Sequence, residues 1–278
     1  VADMDWKRAK TILIFVFIVL NLVLSVTLYH NLKVGEVSQD TINTTQKILE
    51  QNNVHIECPI PRYAGKDYLL QYEETFLDKS KILYGLLGDN YTKISDNKYE
   101  RDSEQVIFID NYSFEYSDTG GNKKILSQSK SEIDDYLKDL IKKLGLPVSE
   151  FQLDSFYTPV TGTGVKAVYK GVYEGYTVFD NYIEAEVGDS TIKSLKFLYR
   201  KPKAITSRDV KIIPAYQILI SKITKYPGIY ISSVDIGFKG LTKVGKDTKT
   251  LYEGLSWRIK TADGKEFYFN AASGESME

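Results

Sequence analysis

The sequence predicts an α+β protein: a single N-terminal transmembrane helix, then an extracytoplasmic region of antiparallel sheets with packed helices. Three observations predict it. Thr11 to Tyr29 is an apolar run without a charge. Beyond it, several segments alternate apolar and polar residues with the period of two that marks half-buried strands. Between those segments lie apolar stripes at helical spacing, with no periodic repeat array. The implied organisation is a cytoplasmic tail over 1–10, a transmembrane helix over 11–30 and a juxtamembrane helix or linker over 31–53. A first α+β subdomain over 54–148 and a second over 149–278 follow.

The run from Thr11 to Tyr29, TILIFVFIVLNLVLSVTLY, is about 19 residues, or roughly 28 Å of helix, which matches the hydrocarbon thickness of a bilayer. Lys7, Arg8 and Lys10 precede it, whereas the first basic residue beyond is Lys33, soon followed by Glu36 and Asp40. That asymmetry places the N-terminus in the cytoplasm and the rest outside. A cleaved signal peptide would have a shorter apolar core and small residues at its end; Leu28, Tyr29 and His30 are not small. The three residues ahead of Met4 read as an upstream start. Asn21 and Ser25 are four apart and share one helix face. Polar side chains on one stripe in lipid are better satisfied against another helix than against acyl chains, so this face is expected to bind a partner helix.

Ile42, Thr45, Ile48 and Leu49 recur at helical spacing, and Cys58-Pro59-Ile60-Pro61 ends that stretch. Glu74 to Leu87 reads as a helix stopped at Gly88. Val106 to Ile109 and Tyr112 to Tyr116 read as strands about an Asp110-Asn111 turn. Ser131 is placed to cap a helix whose stripe is Ile133, Leu137, Leu140, Ile141 and Leu144, closed by Gly145 and Pro147. Val165, Ala167 and Tyr169, then Ile183, Ala185 and Val187, then Leu195, Phe197 and Tyr199, each alternate with polar residues. Pro214 to Tyr226 reads as a helix with an early proline. Leu255, Trp257 and Ile259 alternate with Ser256, Arg258 and Lys260, and Asp263-Gly264 turns the chain into Phe267 to Phe269. Trp257, with Leu255 and Ile259 on its face, is expected to lie in the core of the C-terminal sheet.

Composition excludes several function classes. The net charge is −1, with no clustered basic face, so no nucleic-acid partner is expected. The single cysteine, Cys58, cannot form an internal disulfide, and stability must come from core packing. The two histidines are His30, at the membrane edge, and His55. His55 and Cys58 are three apart, which in a strand puts them on opposite faces and not in a nucleophile–base pair. Two separated histidines and one cysteine do not make a zinc site without several carboxylates. No H-E-x-x-H, G-x-S-x-G or P-loop occurs. Gly162-Thr163-Gly164 lacks a following helix and reads as a turn. Asn43, Asn90 and Asn111 match the glycosylation sequon by composition. The pairs Glu73-Glu74 and Glu184 with Glu186 read as solvated faces. No catalytic residue, cofactor site or metal site emerges.

Met4 to Tyr29, MDWKRAKTILIFVFIVLNLVLSVTLY, resembles the N-terminus of the YycI (WalI) family: Met4, Asp5, Trp6, Arg8, Ala9 and Lys10 run into one transmembrane helix with Asn21 in its middle. Gly254-Leu255-Ser256-Trp257-Arg258-Ile259, then Asp263-Gly264, Tyr268-Phe269-Asn270-Ala271 and Gly274-Glu275, is similar to the family's closing hairpin. Tyr173 to Tyr199 resembles its strand pair about Gly175, Val178 and Phe179. The resemblance implies a cell-envelope protein of low-GC Gram-positive bacteria, α+β outside the membrane and without a known catalytic site. It implies an auxiliary regulator of the WalK (YycG) sensor histidine kinase, acting with a YycH-like membrane protein in a pathway that controls cell-wall metabolism. The competing expectation is an extracytoplasmic protein that binds cell-wall peptides, an inhibitor or a hydrolase. An aromatic-lined cleft with convergent carboxylates would favour it.

Overall fold

The structure, a computed structural model, describes residue 10 and residues 13–24, 37–125, 129–158, 164–188, 190–243 and 251–277. In chain order its elements are α1 (Gln39–Gln51), β1 (His55–Ile56), β2 (Lys66–Tyr72), α2 (Lys79–Leu87), β3 (Thr92–Lys93), β4 (Lys98–Arg101), β5 (Glu104–Phe108) and β6 (Ser113–Asp118). Then come α3 (Lys130–Lys143), β7 (Phe151–Tyr157), β8 (Val165–Tyr173), β9 (Tyr176–Gly188), β10 (Thr191–Leu198) and β11 (Pro202–Lys211). The last are α4 (Ala215–Lys222), β12 (Tyr230–Lys243), β13 (Leu251–Thr261), β14 (Glu266–Asn270) and β15 (Ser276–Met277). Residues 10 and 13–24 are also helical, and the side chains of 13–24 are exposed. Among the described residues no helix is long and apolar enough to cross a membrane. The described stretch 13–24 is about 18 Å of helix; the rest of the span expected over 11–30 lies outside the described residues.

The chain divides into two compact units. The smaller takes residues up to 66 with 211–234 and 260–265. Its α1 starts where Ser38 accepts a hydrogen bond from the Thr41 amide, 3.2 Å, and where Asp40 lies in the first turn, both favourable at a helix N-terminus. Ile42, Thr45 and Leu49 are its buried residues, and the Thr45 hydroxyl donates to the Thr41 carbonyl, 2.7 Å. Val54, Ile60, Ile212, Ile218, Leu219, Ile223 and Ile231 are also buried in this unit. β1 pairs with β12 in parallel, His55 opposite Tyr230.

The larger unit takes 67–210, 235–259 and 266–278. Its hydrogen-bonded strand order is β11-β2-β13-β12-β9-β10-β6-β5-β4-β3, with β8 and then β7 on β9, and β14 and then β15 on β13. Most pairs with a defined register are antiparallel. The exception here is β9 with β12, parallel at Thr177–Gly237 and Val178–Phe238. The sheet is antiparallel for the most part, as expected, and this contact and the parallel β1–β12 pair are additions to that pattern. β12 enters after a helical connection and not through a hairpin, so its direction is not tied to that of its neighbour.

α2 and α3 pack in one apolar cluster with the sheet: Ile82, Leu86, Phe114, Ile133, Leu137 and Phe197 are all buried in it. This cluster combines residues from both sides of 148/149, and β6 pairs with β10 across the same point. The compact units therefore do not divide at that boundary. Two helix starts also differ from expectation. α2 begins at Lys79 because Asp78 accepts from the Lys81 amide, 3.1 Å, leaving 74–78 outside it. α3 is capped by Ser129, which accepts from the Glu132 amide at 3.3 Å. Ser129 and Glu132 have capping-box spacing, whereas Ser131 is already inside the helix.

Candidate functional site

The larger unit carries a buried group of charges gathered around an irregularity in β9. Lys170 of β8 pairs with Tyr182, but the next residue, Gly171, pairs with Val178. Residues 179–181 thus have no counterpart on β8 and form a wide bulge, the device by which strands re-aim side chains. Asn181 turns to the chain after β10: its amide donates to the Arg200 carbonyl and accepts from the Arg200 amide, both at 2.8 Å. The side chain thereby takes the role of a strand neighbour. Asp180 accepts from Lys239 Nζ at 2.7 Å and from the Gly240 amide at 3.2 Å. Lys170 Nζ donates to the Phe179 carbonyl, 3.1 Å. The bulge needs room on β8: a Cβ on Gly171 would sit 2.7 Å from Asn181 Cβ.

Arg258 of β13 lies beneath this bulge, its side chain 6% exposed. Its guanidinium is 2.7 Å from Asp154, 3.0 Å from Asp235 and 3.3 Å from Glu266, and stands 4.8 Å from the centre of the Phe179 ring. Burial alone would lower its pKa; Asp154, then Asp235 and Glu266, outweigh burial and hold the charge more firmly than usual. Glu266 also accepts from the Tyr268 hydroxyl, 2.5 Å, whose ring lies 4.5 Å below Lys239 Nζ. Burial lowers the pKa of Lys170, against the pull of Glu266 and Asp154. Arg258 is thus not on a wetted face. Ser256 and Arg258 are buried, as Leu255 and Trp257 are, because β13 has covered faces on both sides.

Glu253 stands in the apolar row of the same strand, ahead of Leu255, Trp257 and Ile259, and is 0% exposed. It faces Leu70 across the β2–β13 pair. Neither of its carboxyl oxygens has a hydrogen-bond partner among the described residues, and neither has the buried Tyr72 hydroxyl. The Tyr72 hydroxyl is nonetheless close enough to act on the carboxyl as a donor, which favours the ionised form. Burial first, and Asp180 second, push the Glu253 pKa up to about 8, against Tyr72, Arg200 and Lys239. The Tyr72 phenol is pushed up too, by burial and then by Glu253.

The chemistry here is that of a charged core. The carboxylates converge on arginine and lysine, not on an open cleft. Two cavities lie elsewhere. One of about 10 Å³ is lined by Leu137, Ile141, Val148, Phe151, Tyr169 and Ile183. A groove of about 340 Å³ in the smaller unit is lined by Asp40, Thr41, Thr44, Thr45, Tyr216 and Ile220. Among the described residues no group of three or more His, Cys, Asp or Glu could hold a metal ion. His55 stacks on Tyr230 with ring centres 4.7 Å apart, and Cys58 is half-buried.

The residues singled out in the sequence are not brought together. Trp257, Leu255 and Ile259 are buried at 0%, 1% and 0% exposure. Asn21 is exposed on its helix, where its amide donates to the Phe17 carbonyl at 2.8 Å. Lys10 is exposed; Lys7, Arg8 and Ser25 lie outside the described residues, as do His30, Gly162 and Thr163. Sequence reasoning missed Glu253, Arg258, Asp180 and Tyr72. One signal was present: carrying the Leu255–Trp257–Ile259 alternation back by two residues sets a carboxyl in an apolar row.

No curated protein matches this chain in sequence. Among solved structures, the crystal structure of YycH from Bacillus subtilis is similar at a TM-score of 0.49 and 12% identity, over 74% of this chain and 52% of that one. The chain thus spans about half the length of the protein it matches. A family model described as YycI protein matches residues 32–272, most of the sequence, and the chain belongs to the YycI family.

Proposed function

We propose that the chain is a non-enzymatic, membrane-anchored regulator that binds a WalK-like sensor histidine kinase together with a YycH-like partner. In this reading it modulates two-component signalling over cell-wall metabolism. The observation that carries it is the YycI match over residues 32–272, a regulatory, non-catalytic family. The convergence of Asp154, Asp235 and Glu266 on Arg258 also favours regulation over hydrolysis, since a hydrolase would aim its carboxylates at a substrate.

A bound regulator shifts a kinase only by contacting one signalling state better than another. Two places are open to such contacts: the exterior and the apolar helix. In this reading the protein is single-pass, with Lys7, Arg8 and Lys10 cytoplasmic and residues after 30 outside. Asn21 and Ser25 face the kinase or the YycH-like helix. Asn21 gives one N–H to Phe17, yet an amide has a second N–H and a carbonyl oxygen for an interhelical bond of roughly 0.6–2 kcal/mol.

The test is in-membrane crosslinking and kinase output in the native host, comparing wild type with Asn21→Leu plus Ser25→Leu at equal protein level. Weakened association with altered output is expected. Unchanged association and output would make the helix an anchor only. Failure of the wild-type protein to co-purify with either partner from its own membranes would overturn the whole reading.

A further inference from the structure

We propose that Glu253 is a proton-dependent latch on the β13–β2–β11 edge of the larger unit: neutral, it lets the edge close over the core; ionised, it opens the edge locally. The proposal does not rest on the function proposed above.

The strand order ends β13-β2-β11, so only two strands lie between Glu253 and the open edge. Glu253 is fully buried in the row with Leu255 and Trp257, and both oxygens lack a hydrogen-bond partner among the described residues. A buried carboxylate in that state is among the most costly groups a core can hold, whereas the neutral acid costs much less. Water is the remedy, and parting β2 from β13 at Leu70 admits it. The outer pair is fastened by Arg208 of β11, whose Nε donates to Asp67 of β2 at 2.7 Å. That fastening leaves Asp67 Oδ1 without a partner. The edge is thus closed by the backbone ladders of β13–β2–β11, by this ion pair and that of Lys201 with Glu73, 2.9 Å, and by apolar packing.

Groups on four neighbouring segments bear on the Glu253 proton. From β2 comes the Tyr72 hydroxyl; from the β9 bulge, Asp180; from β12, Lys239; from the segment after β10, Arg200. Lys239 is committed to Asp180 at 2.7 Å. Arg200 lies over the Tyr112 ring, 5.3 Å from its centre, and 4.0 Å from Asp110. Neither cation is seated on Glu253, so ionisation would set a second negative charge beside Asp180 without a dedicated counter-ion.

The direction follows from linkage. The closed form holds its proton up to about pH 8, while an exposed glutamate releases it near 4.5. Between those values the opened form binds fewer protons. The opening constant therefore rises up to about tenfold per pH unit as pH increases, and levels off above the closed-state value. Opening is confined to an edge because local opening is less costly than global unfolding wherever few contacts must part.

The experiment is hydrogen exchange by mass spectrometry on the full chain in detergent micelles, corrected for intrinsic rates, at pH 5.5, 6.5 and 7.5. Wild type is compared with Glu253→Gln. In wild type, protection over 66–72 and 202–211 should fall about tenfold per pH unit relative to the variant, with α3 unchanged. Equal pH dependence in both proteins, or a loss spread evenly over the unit, overturns the latch. If the variant does not fold, a carbon-13 titration of the Glu253 carboxyl in wild type decides. A midpoint above about 6.5 supports the latch, and one below it overturns it.

Discussion

Arg258→Met separates the charge of the buried guanidinium from its packing, since methionine keeps an apolar stem over Phe179. What remains is a set of carboxylates deprived of their cation. Their burial ranks the damage: the Asp154 side chain is 10% exposed, Glu266 24% and Asp235 38%. Asp235 can recover much of its lost interaction from water, as exposed pairs do. Asp154 cannot, so most of the cost falls there. Breaking a buried pair from one side costs roughly 3–5 kcal/mol. Asp154→Asn removes that stranded charge, and in its background Arg258→Met should cost about 2–3 kcal/mol less than alone, the scale of coupling expected between residues in contact. The assay is chemical denaturation of wild type, both single variants and the double variant under one buffer. A cost below about 1 kcal/mol for Arg258→Met, or additivity within about 0.5 kcal/mol, would refute the view that Arg258 neutralises a desolvated acid.

Three further outcomes are expected. Trp257→Ala, at a fully buried position, should lower stability by roughly 3–5 kcal/mol, and an unmoved melting temperature would mean that the site collapses around the loss. Cys58 should react with a membrane-impermeant thiol reagent in intact cells stripped of their wall; no labelling before lysis with clear labelling after lysis and denaturation would count against an exterior Cys58, and labelling only on denaturation would mean a buried thiol. Wild-type stability should fall as pH rises from about 4.5 towards 8, by up to about 1.4 kcal/mol per unit, because the folded state holds the Glu253 proton more tightly than the unfolded chain. Glu253→Gln should remove that slope, which thermal melts across the range would read.

Local patterns were legible where one rule governs one element. The stripe Ile133, Leu137, Leu140 and Ile141 is the buried side of α3. Ile183, Ala185 and Val187 are buried while Glu186 is exposed, because β9 there has one apolar face. Where two rules compete, the pattern misleads by a few residues. Ser129 and Ser131 are both capping residues by type and each has an acid three positions on, but it is the Ser129 hydroxyl that takes the backbone amide at the helix start. Glu74 to Asp78 has helix-compatible residues, yet Asp78 takes the Lys81 amide and starts α2 there. A parallel contact such as β9 with β12 leaves no local trace, since strand direction is set by how the chain returns.

The charged cluster is a different case, for its members come from far apart. Arg258, Asp154, Asp235 and Glu266 stand on β13, β7, β12 and β14. Nothing in their spacing announces that they meet. Read singly, Arg258 between Trp257 and Ile259 is the polar member of an alternating strand, and the rule that one sheet face is wet places it outside. That rule fails for β13, which pairs with β2 and β12 on its two sides and has both faces covered. Once both faces are covered, an arginine there must be neutralised by ions from other strands, and the bulge at 179–181 of β9 makes room for that. Glu253 on the opposite face received no such ion. The same burial thus yields two outcomes on one strand, a charge held firmly at Arg258 and a charge suppressed at Glu253. The difference lies in whether neighbouring strands bring a counter-ion to that register position, which only the assembled sheet decides.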